Sequence, residues 1–173
     1  EYADTYDTTT AMQGKTKVEP LTGFGAIRMQ QEFGSNASTV GLSLTGVHRD
    51  FAGSNDLAEI LNRRAYAGGG DWRIRFLEGQ YQFGGYAGLS HIEGKPDAIL
   101  RQQRSSRRYY QRPDANYVDL DSSRTSLSGY SAGAYFERNA GKHWLWGMGG
   151  GAESPGFEIN DAGRLRSADD VNA

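Results

Sequence analysis

Between Ala65 and Ile92 the chain AYAGGGDWRIRFLEGQYQFGGYAGLSHI changes character at every second residue. Tyr66, Gly68, Gly70, Trp72, Ile74 and Phe76 share one face of an extended strand, and Ala65, Ala67, Gly69, Asp71, Arg73 and Arg75 share the other, because successive strand side chains point to opposite faces. After Leu77, Glu78 and Gly79 the apolar face resumes with Tyr81, Phe83, Gly85, Ala87 and Leu89. The pattern predicts a two-faced hairpin with oil on one side and charge on the other.

The same parity extends along the rest of the chain. Glu1 to Gly14 is polar and Thr-rich and reads as a surface loop. Thr16 to Phe33 runs extended, with Ile27, Met29 and Phe33 set against Arg28, Gln30 and Glu32; Gly34, Ser35 and Asn36 turn the chain, and Ser38 to Val47 returns it with Val40, Leu42 and Leu44 on the apolar face. A polar connection over about 49–64 has room for a helical turn at Leu57 to Leu61. A second connection, 93–123, is the longest and reads as a rim loop. Arg124 to Arg138 presents Tyr130, Ala132, Ala134 and Phe136 on the apolar side; Asn139 to Lys142 turns; His143 to Glu153 follows with Trp144, Trp146 and Met148. A further strand is expected from Gly163 onward.

Connections alternate short and long, at Gly34, Leu77 and Asn139 against Arg49, Glu93 and Ser154. Outer-membrane barrels put short turns in the periplasm and long loops outside. Phe33, Phe76, Tyr81, Phe136 and Trp144 gather near the short turns, where an interfacial aromatic girdle belongs. With Trp72, Phe83 and Trp146 they make up the expected lipid-facing set. The competing architecture is a soluble β-sandwich whose apolar face is its core.

Composition favours the barrel. Only 37% of residues are hydrophobic and 24 are Gly, yet 12% are aromatic, and the mean hydropathy is −0.67; that is thin for a packed core and suits a polar-lined lumen. No run reaches the about 20 apolar residues of a membrane helix. A formal net charge of −2 gives no global pull toward nucleic acid, and the absence of Cys removes disulfides, thiolate metal sites and cysteine nucleophiles.

QRSSRRYYQRPD (Gln103 to Asp114), RTSLSGY (Arg124 to Tyr130), SPGFEINDAGRL (Ser154 to Leu165), VEPLTGF (Val18 to Phe24) and AYAGGGDWRIRF (Ala65 to Phe76) resemble the C-terminal barrel region of large bacterial outer-membrane proteins that usually carry an N-terminal domain similar to family-nine carbohydrate-binding modules. The resemblance spans nearly the whole chain in matching order. It implies residence in the bacterial outer membrane and an internal piece of a larger barrel, whose remaining strands would be its partners. It supplies no catalytic residue.

Four groups of residues carry candidate chemistry. Arg101, Arg104, Arg107, Arg108 and Arg112 with Tyr109 and Tyr110 form a basic, aromatic stretch in the long loop. Pairing with Asp114, Asp119 and Asp121 is weighed ahead of contact with lipopolysaccharide phosphate or an anionic glycan, for which arginine's fork is suited, and nucleic acid comes last. Arg28, Glu32, Asp71, Arg73, Arg75 and Glu153 fall on the inner face and read as a cross-paired lumen wall. The three histidines show no metal-ligand spacing, and Ser90 and His91 point to opposite faces, so no nucleophile, base and acid converge on one face. Structural roles therefore outweigh catalysis, and no metal or cofactor is implied. Gly68 to Gly70 and Gly147 to Gly151 lack phosphate-loop spacing and read as close packing or lumen space.

The reading is thus an all-β, antiparallel up-and-down meander over 1–173, an incomplete segment of a larger transmembrane β-barrel in contact with outer-membrane lipid. Its expected task is transport or surface binding of glycan-type or other small ligands. A soluble carbohydrate-binding domain and a barrel-embedded hydrolase are the alternatives. On this reading an arginine at Ile74, were that site near mid-bilayer, would cost about 2–4 kcal/mol.

Overall fold

A computed structural model describes residues 1–7, 12–159, 161 and 168–172. Among these, strands dominate: β1 (Tyr2–Asp7), β2 (Met12–Lys17), β3 (Leu21–Phe33), β4 (Ser38–Asp50), β5 (Arg64–Phe76), β6 (Tyr81–Glu93), β7 (Ser126–Arg138), β8 (Trp146–Glu153) and β9 (Asp170–Asn172). Two short helices interrupt them, α1 (Asn55–Ile60) and α2 (Pro96–Arg104). The fold is all-β.

β3 to β9 form one seven-stranded sheet in which every strand pairs antiparallel with its sequence neighbour. The sheet does not close. Among the described residues β3 is one open edge and β9 the other. The register carries one face through the sheet: Ile74 pairs with Phe83, Phe83 with Phe136 and Phe136 with Met148. Next to that row, Phe76 pairs with Tyr81, Tyr81 with Arg138 and Arg138 with Trp146. A slip of one residue in any strand would move its whole apolar set to the charged side, so the two-faced sequence fixes the pairing.

The tight turns follow from local chemistry. At Leu77, Glu78 and Gly79 the backbone takes φ of 50°, 56° and 79°, the left-handed conformation that matches the twist of a hairpin. Leu77 and Glu78 adopt it against their steric preference, and Gln80 closes the turn with a 3.0 Å hydrogen bond to the Leu77 carbonyl. Pro96 starts α2, where a missing N–H costs nothing; Asp97 lies in its first turn and Arg101 and Arg104 in its last, both favourable to the helix dipole.

Four differences from the expected elements have physical causes. Glu1 to Gly14 is not simply a loop, because β1 pairs with β2 in a separate hairpin, with the Thr5 and Thr16 hydroxyls 3.3 Å apart across it. The long connection 93–123 contains α2 and folds back onto the sheet. β8 begins at Trp146, so Trp144 lies before the strand, exposed beside the turn. β9 spans Asp170–Asn172; the expected start of this strand at Gly163 falls outside the described residues.

The core lies on the face that parity assigned to the charged side chains. Val47, Ala65, Ile92 and Leu127 occupy charged-face parity at the long-loop end of their strands, and Ile99 of α2 and Tyr110 pack on them. The helical layer therefore covers the polar-parity face at one end only. The apolar face has no cover: Ile27 is 58% exposed, Leu89 69% and Met148 66%.

Candidate functional site: the polar face, its strap and the long-loop end

The uncovered face carries an aromatic band at the short-turn end. Phe76 stacks on Tyr81 and Phe136 with centroids 5.8 and 6.0 Å apart, Tyr81 stacks on Phe136 at 5.9 Å, and Trp146 meets Phe136 at 5.5 Å. Trp72 tilts against Phe83 at 6.1 Å. Phe33 lies on the same face at the β3 end. Tyr66, Leu89 and Tyr130 lie toward the other end, leaving Leu42 and Leu44 between the two. Among the described residues no helix is long and apolar enough to cross a membrane.

The opposite face is a cross-linked polar wall. Arg28 of β3 reaches over Gly41 of β4 to Asp71 of β5, with Nη2 donating to Oδ1 at 2.9 Å, and Nη1 donates to the Ser43 hydroxyl at 2.9 Å. A side chain at position 41 would collide with that pair, since a Cβ there would sit 2.5 Å from the Arg28 guanidinium. Arg75 donates to Gln82 at 3.2 Å, and Gln82 donates to the Tyr135 hydroxyl at 3.2 Å and to Glu137 at 3.3 Å. Glu153 accepts from Ser131 at 3.1 Å. Glu32 and Arg73 are exposed on this wall. The ring of Tyr135 lies over Gly84 and that of Tyr86 over Gly133, each glycine facing the tyrosine directly across the β6–β7 ladder. Together with Arg28, Asp71 and Arg73 these rings line a hollow of about 550 Å³.

A strap runs across this wall near the long-loop end. After β8, the Ser154 N–H donates to the Tyr130 carbonyl at 2.9 Å and its hydroxyl accepts from the Tyr130 N–H at 2.8 Å. The chain passes so close to β7 that a Cβ on Gly129 would lie 2.1 Å from the Phe157 nitrogen. Glu158 then donates its N–H to the Ser90 hydroxyl on β6 at 2.8 Å. Asp161 pairs with Arg49 of β4 at 2.5 Å and accepts from Asn62 at 2.8 Å. Residues 154–159 and Asp161 are thus anchored at β7, β6 and β4 in turn.

The long loop locks onto the strap. The Arg108 side chain is 0% exposed and that of Glu158 1%, and the two are ion-paired; Arg108 also donates to the Phe157 carbonyl at 2.7 Å. The expected basic patch is therefore divided. Arg101, Arg104, Arg107 and Tyr109 face solvent, whereas Arg108 and Tyr110 are buried, because the loop turns them onto the sheet. Arg112 is part-buried against Asp169 and Tyr117. Arg108 takes Glu158 and Arg112 takes Asp169 as acidic partner, and Asp121 lies 3.9 Å from Arg124. Burial raises the Tyr110 phenol above its ordinary range. Hydrogen bonds from the hydroxyl and N–H of Ser123 hold the Asp121 carboxyl below its ordinary range. That turn is favoured above the unfolded carboxylate pKa of about 3.9 and loses its support as pH falls through the lower folded value.

At the long-loop end of the apolar face the structure corrects the expectation about histidine. Ser90 does face away from His91, but Ser128 of β7 is His91's direct partner in the ladder. Nδ1 of His91 lies 2.7 Å from the Ser128 hydroxyl and Nε2 lies 3.2 Å from Glu93. A hydroxyl, an imidazole and a carboxylate do converge on one face. Parity alone contained the cue for His91 and Glu93, two residues apart, while Ser128 required the register. His48 lines the adjacent cleft, and no cluster of three potential metal ligands occurs among the described residues.

No family model, curated protein or solved structure matches the chain.

Proposed function

We propose that the chain is a segment of a bacterial outer-membrane β-barrel, with its apolar face against lipid and its polar face lining a lumen that the strap and long loop narrow at the extracellular end. The observation that carries this reading is the uncovered apolar face. In a sandwich that face would be packed against a second layer; here the helices and the strap pack on the other side. A strand of 13 residues is about 40 Å long at about 3.3 Å per residue, and a tilt of about 45° brings it to roughly the 25 Å lipid band of such barrels. Open edges at β3 and β9 need neighbouring strands, because lipid cannot satisfy their backbone groups.

Within the lumen the hollow beneath Tyr86 and Tyr135 supports transport of small polar ligands of the glycan type. Tyrosine rings lying over glycines offer flat apolar faces, and Arg28, Asp71 and Arg73 supply hydrogen-bonding groups around them, the mix found in small-ligand sites. The exposed arginines of the long loop suit contact with lipopolysaccharide phosphate at the surface.

Tryptophan fluorescence of the full-length protein in vesicles tests the reading. Brominated acyl chains should quench Trp72 and Trp146; unquenched emission in folded protein would sink it. Topology has its own check in intact cells. A cysteine at Ser106, which is exposed in the long loop, should react with an impermeant maleimide, and one at Ser35 should react only after the outer membrane is breached. Ser106 is preferred to Ser105, whose hydroxyl bonds the Gln102 carbonyl at 2.8 Å at the end of α2. Reversed labelling would invert the orientation.

A further inference from the structure

The His91 cluster lies at the long-loop end of the apolar face, at the height where the outer leaflet's headgroups meet its acyl chains if the membrane reading holds. That is where lipid ester bonds lie. Its members sit on paired strands: His91 is fixed opposite Ser128 by the ladder, and Glu93 is two residues further on the same face. The second Glu93 oxygen lies 3.3 Å from the Arg64 guanidinium, which orients the carboxylate. With its proton on Nε2, His91 donates to Glu93 and its bare Nδ1 accepts from the Ser128 hydroxyl. This places a nucleophile, a base and an orienting acid in one line, all reachable from outside: the His91 and Glu93 side chains are 40% and 41% exposed, and Ser128 is exposed. A second observation points to a ligand here. A cleft of about 1080 Å³ among the described residues borders His91 and Glu93, and Arg63, Lys95, Asp50 and Ser126 are among its walls.

We propose that Ser128, His91 and Glu93 form a hydrolytic site for carboxylic esters of membrane lipid, with the adjacent cleft receiving the headgroup. The proposal rests on the membrane reading above for its substrate. Ser128 Oγ attacks the acyl carbon while its proton passes to His91 Nδ1. The ester C–O bond then breaks, and the departing alcohol oxygen takes that proton. Water, deprotonated by the same imidazole, cleaves the acyl-serine and regenerates the hydroxyl. Glu93 is a positioning residue, acting through the imidazole.

The test uses the full-length protein, in detergent and in vesicles of phosphatidylethanolamine and phosphatidylglycerol. A fluorophosphonate probe should form an adduct that peptide mass mapping assigns to Ser128. Ser128→Ala should abolish it, and His91→Asn should slow both labelling and hydrolysis of a short-chain nitrophenyl ester by about 100-fold or more. Glu93→Gln should reduce kcat with little change in KM, and Glu93→Asp should restore part of it, which a purely structural rim cluster would not do. Mapping the wild-type adduct needs no variant to fold. An unlabelled Ser128 in protein whose tryptophans are quenched by brominated lipid would overturn the hydrolase and leave the membrane segment standing. Labelled Ser128 with unquenched tryptophans would remove the lipid substrate and the membrane reading, and keep the triad. An adduct that persists in Ser128→Ala would overturn the site.

Discussion

Replacing Leu42 by arginine is expected to destabilise the membrane-inserted protein by about 2–4 kcal/mol, the cost of a cation at the bilayer midplane on the lipid face of a barrel. Leu42 pairs with Gly70, midway along β5, between the aromatic band at the short turns and the tyrosines at the other end. Ile74 serves less well than the sequence suggested. It sits close to the Leu77 turn, which the proposed membrane placement puts at the interface, where the same charge would cost only about 0–1 kcal/mol. Arg73→Lys on the inner wall keeps the charge on a solvated face and should cost little. Urea-dependent folding of the full-length protein into vesicles measures all three. Equal and small costs for Leu42→Arg and Arg73→Lys would mean that the apolar face does not meet lipid.

Glu158→Gln should have the other large effect, about 3–5 kcal/mol, since it leaves the Arg108 guanidinium buried without its counter-charge. The loss should appear as release of the loop and strap from the sheet, whose own ladders remain intact. Trypsin cleavage after the exposed Arg101, Arg104 and Arg107 reads it directly and should accelerate strongly. Removing both charges together, as Arg108→Met with Glu158→Leu, should recover much of the protection, because an apolar pair of similar volume is often as stable as a buried ion pair. Arg104→Ala, a change at an exposed side chain, should stay within about 0.5 kcal/mol. Unchanged proteolysis in Glu158→Gln would show that the ion pair does not hold the loop.

The meander was legible because its information is local. Trp72, Ile74 and Phe76 against Asp71, Arg73 and Arg75 declare both a strand and its orientation within a few residues, and Leu77 to Gly79 declares the return. The inner-wall pair of Arg28 and Asp71 was legible as a shared face, though not as a bridge over Gly41. What escaped is what depends on distant partners. Arg108 finds Glu158 fifty residues later, and Arg49 finds Asp161 further still; neither spacing leaves a periodic trace. Even so, a cue existed. Val47, Ala65, Ile92 and Leu127 are apolar residues on the charged parity, all near the long-loop end, and such a row needs something apolar to cover it. Ile99 and Tyr110 do so. The rim triad escaped for a related reason: Ser128 meets His91 only once the β6–β7 register is set.

The strap also imposes an order in time. Each ladder of the meander joins neighbours in sequence, and those across the turns at Gly34, Leu77 and Asn139 form by short loop closures that are cheap in chain entropy. The strap cannot. Asp161 reaches Asn62 across 99 residues, and its anchors at Tyr130, Ser90 and Arg49 exist only after β4 to β7 lie side by side. Its contacts therefore belong to the last stage of folding and are among the first to open. Stabilising them slows unfolding while leaving the rate of sheet formation almost unchanged, which gives the wall a closure whose lifetime is set separately from its assembly.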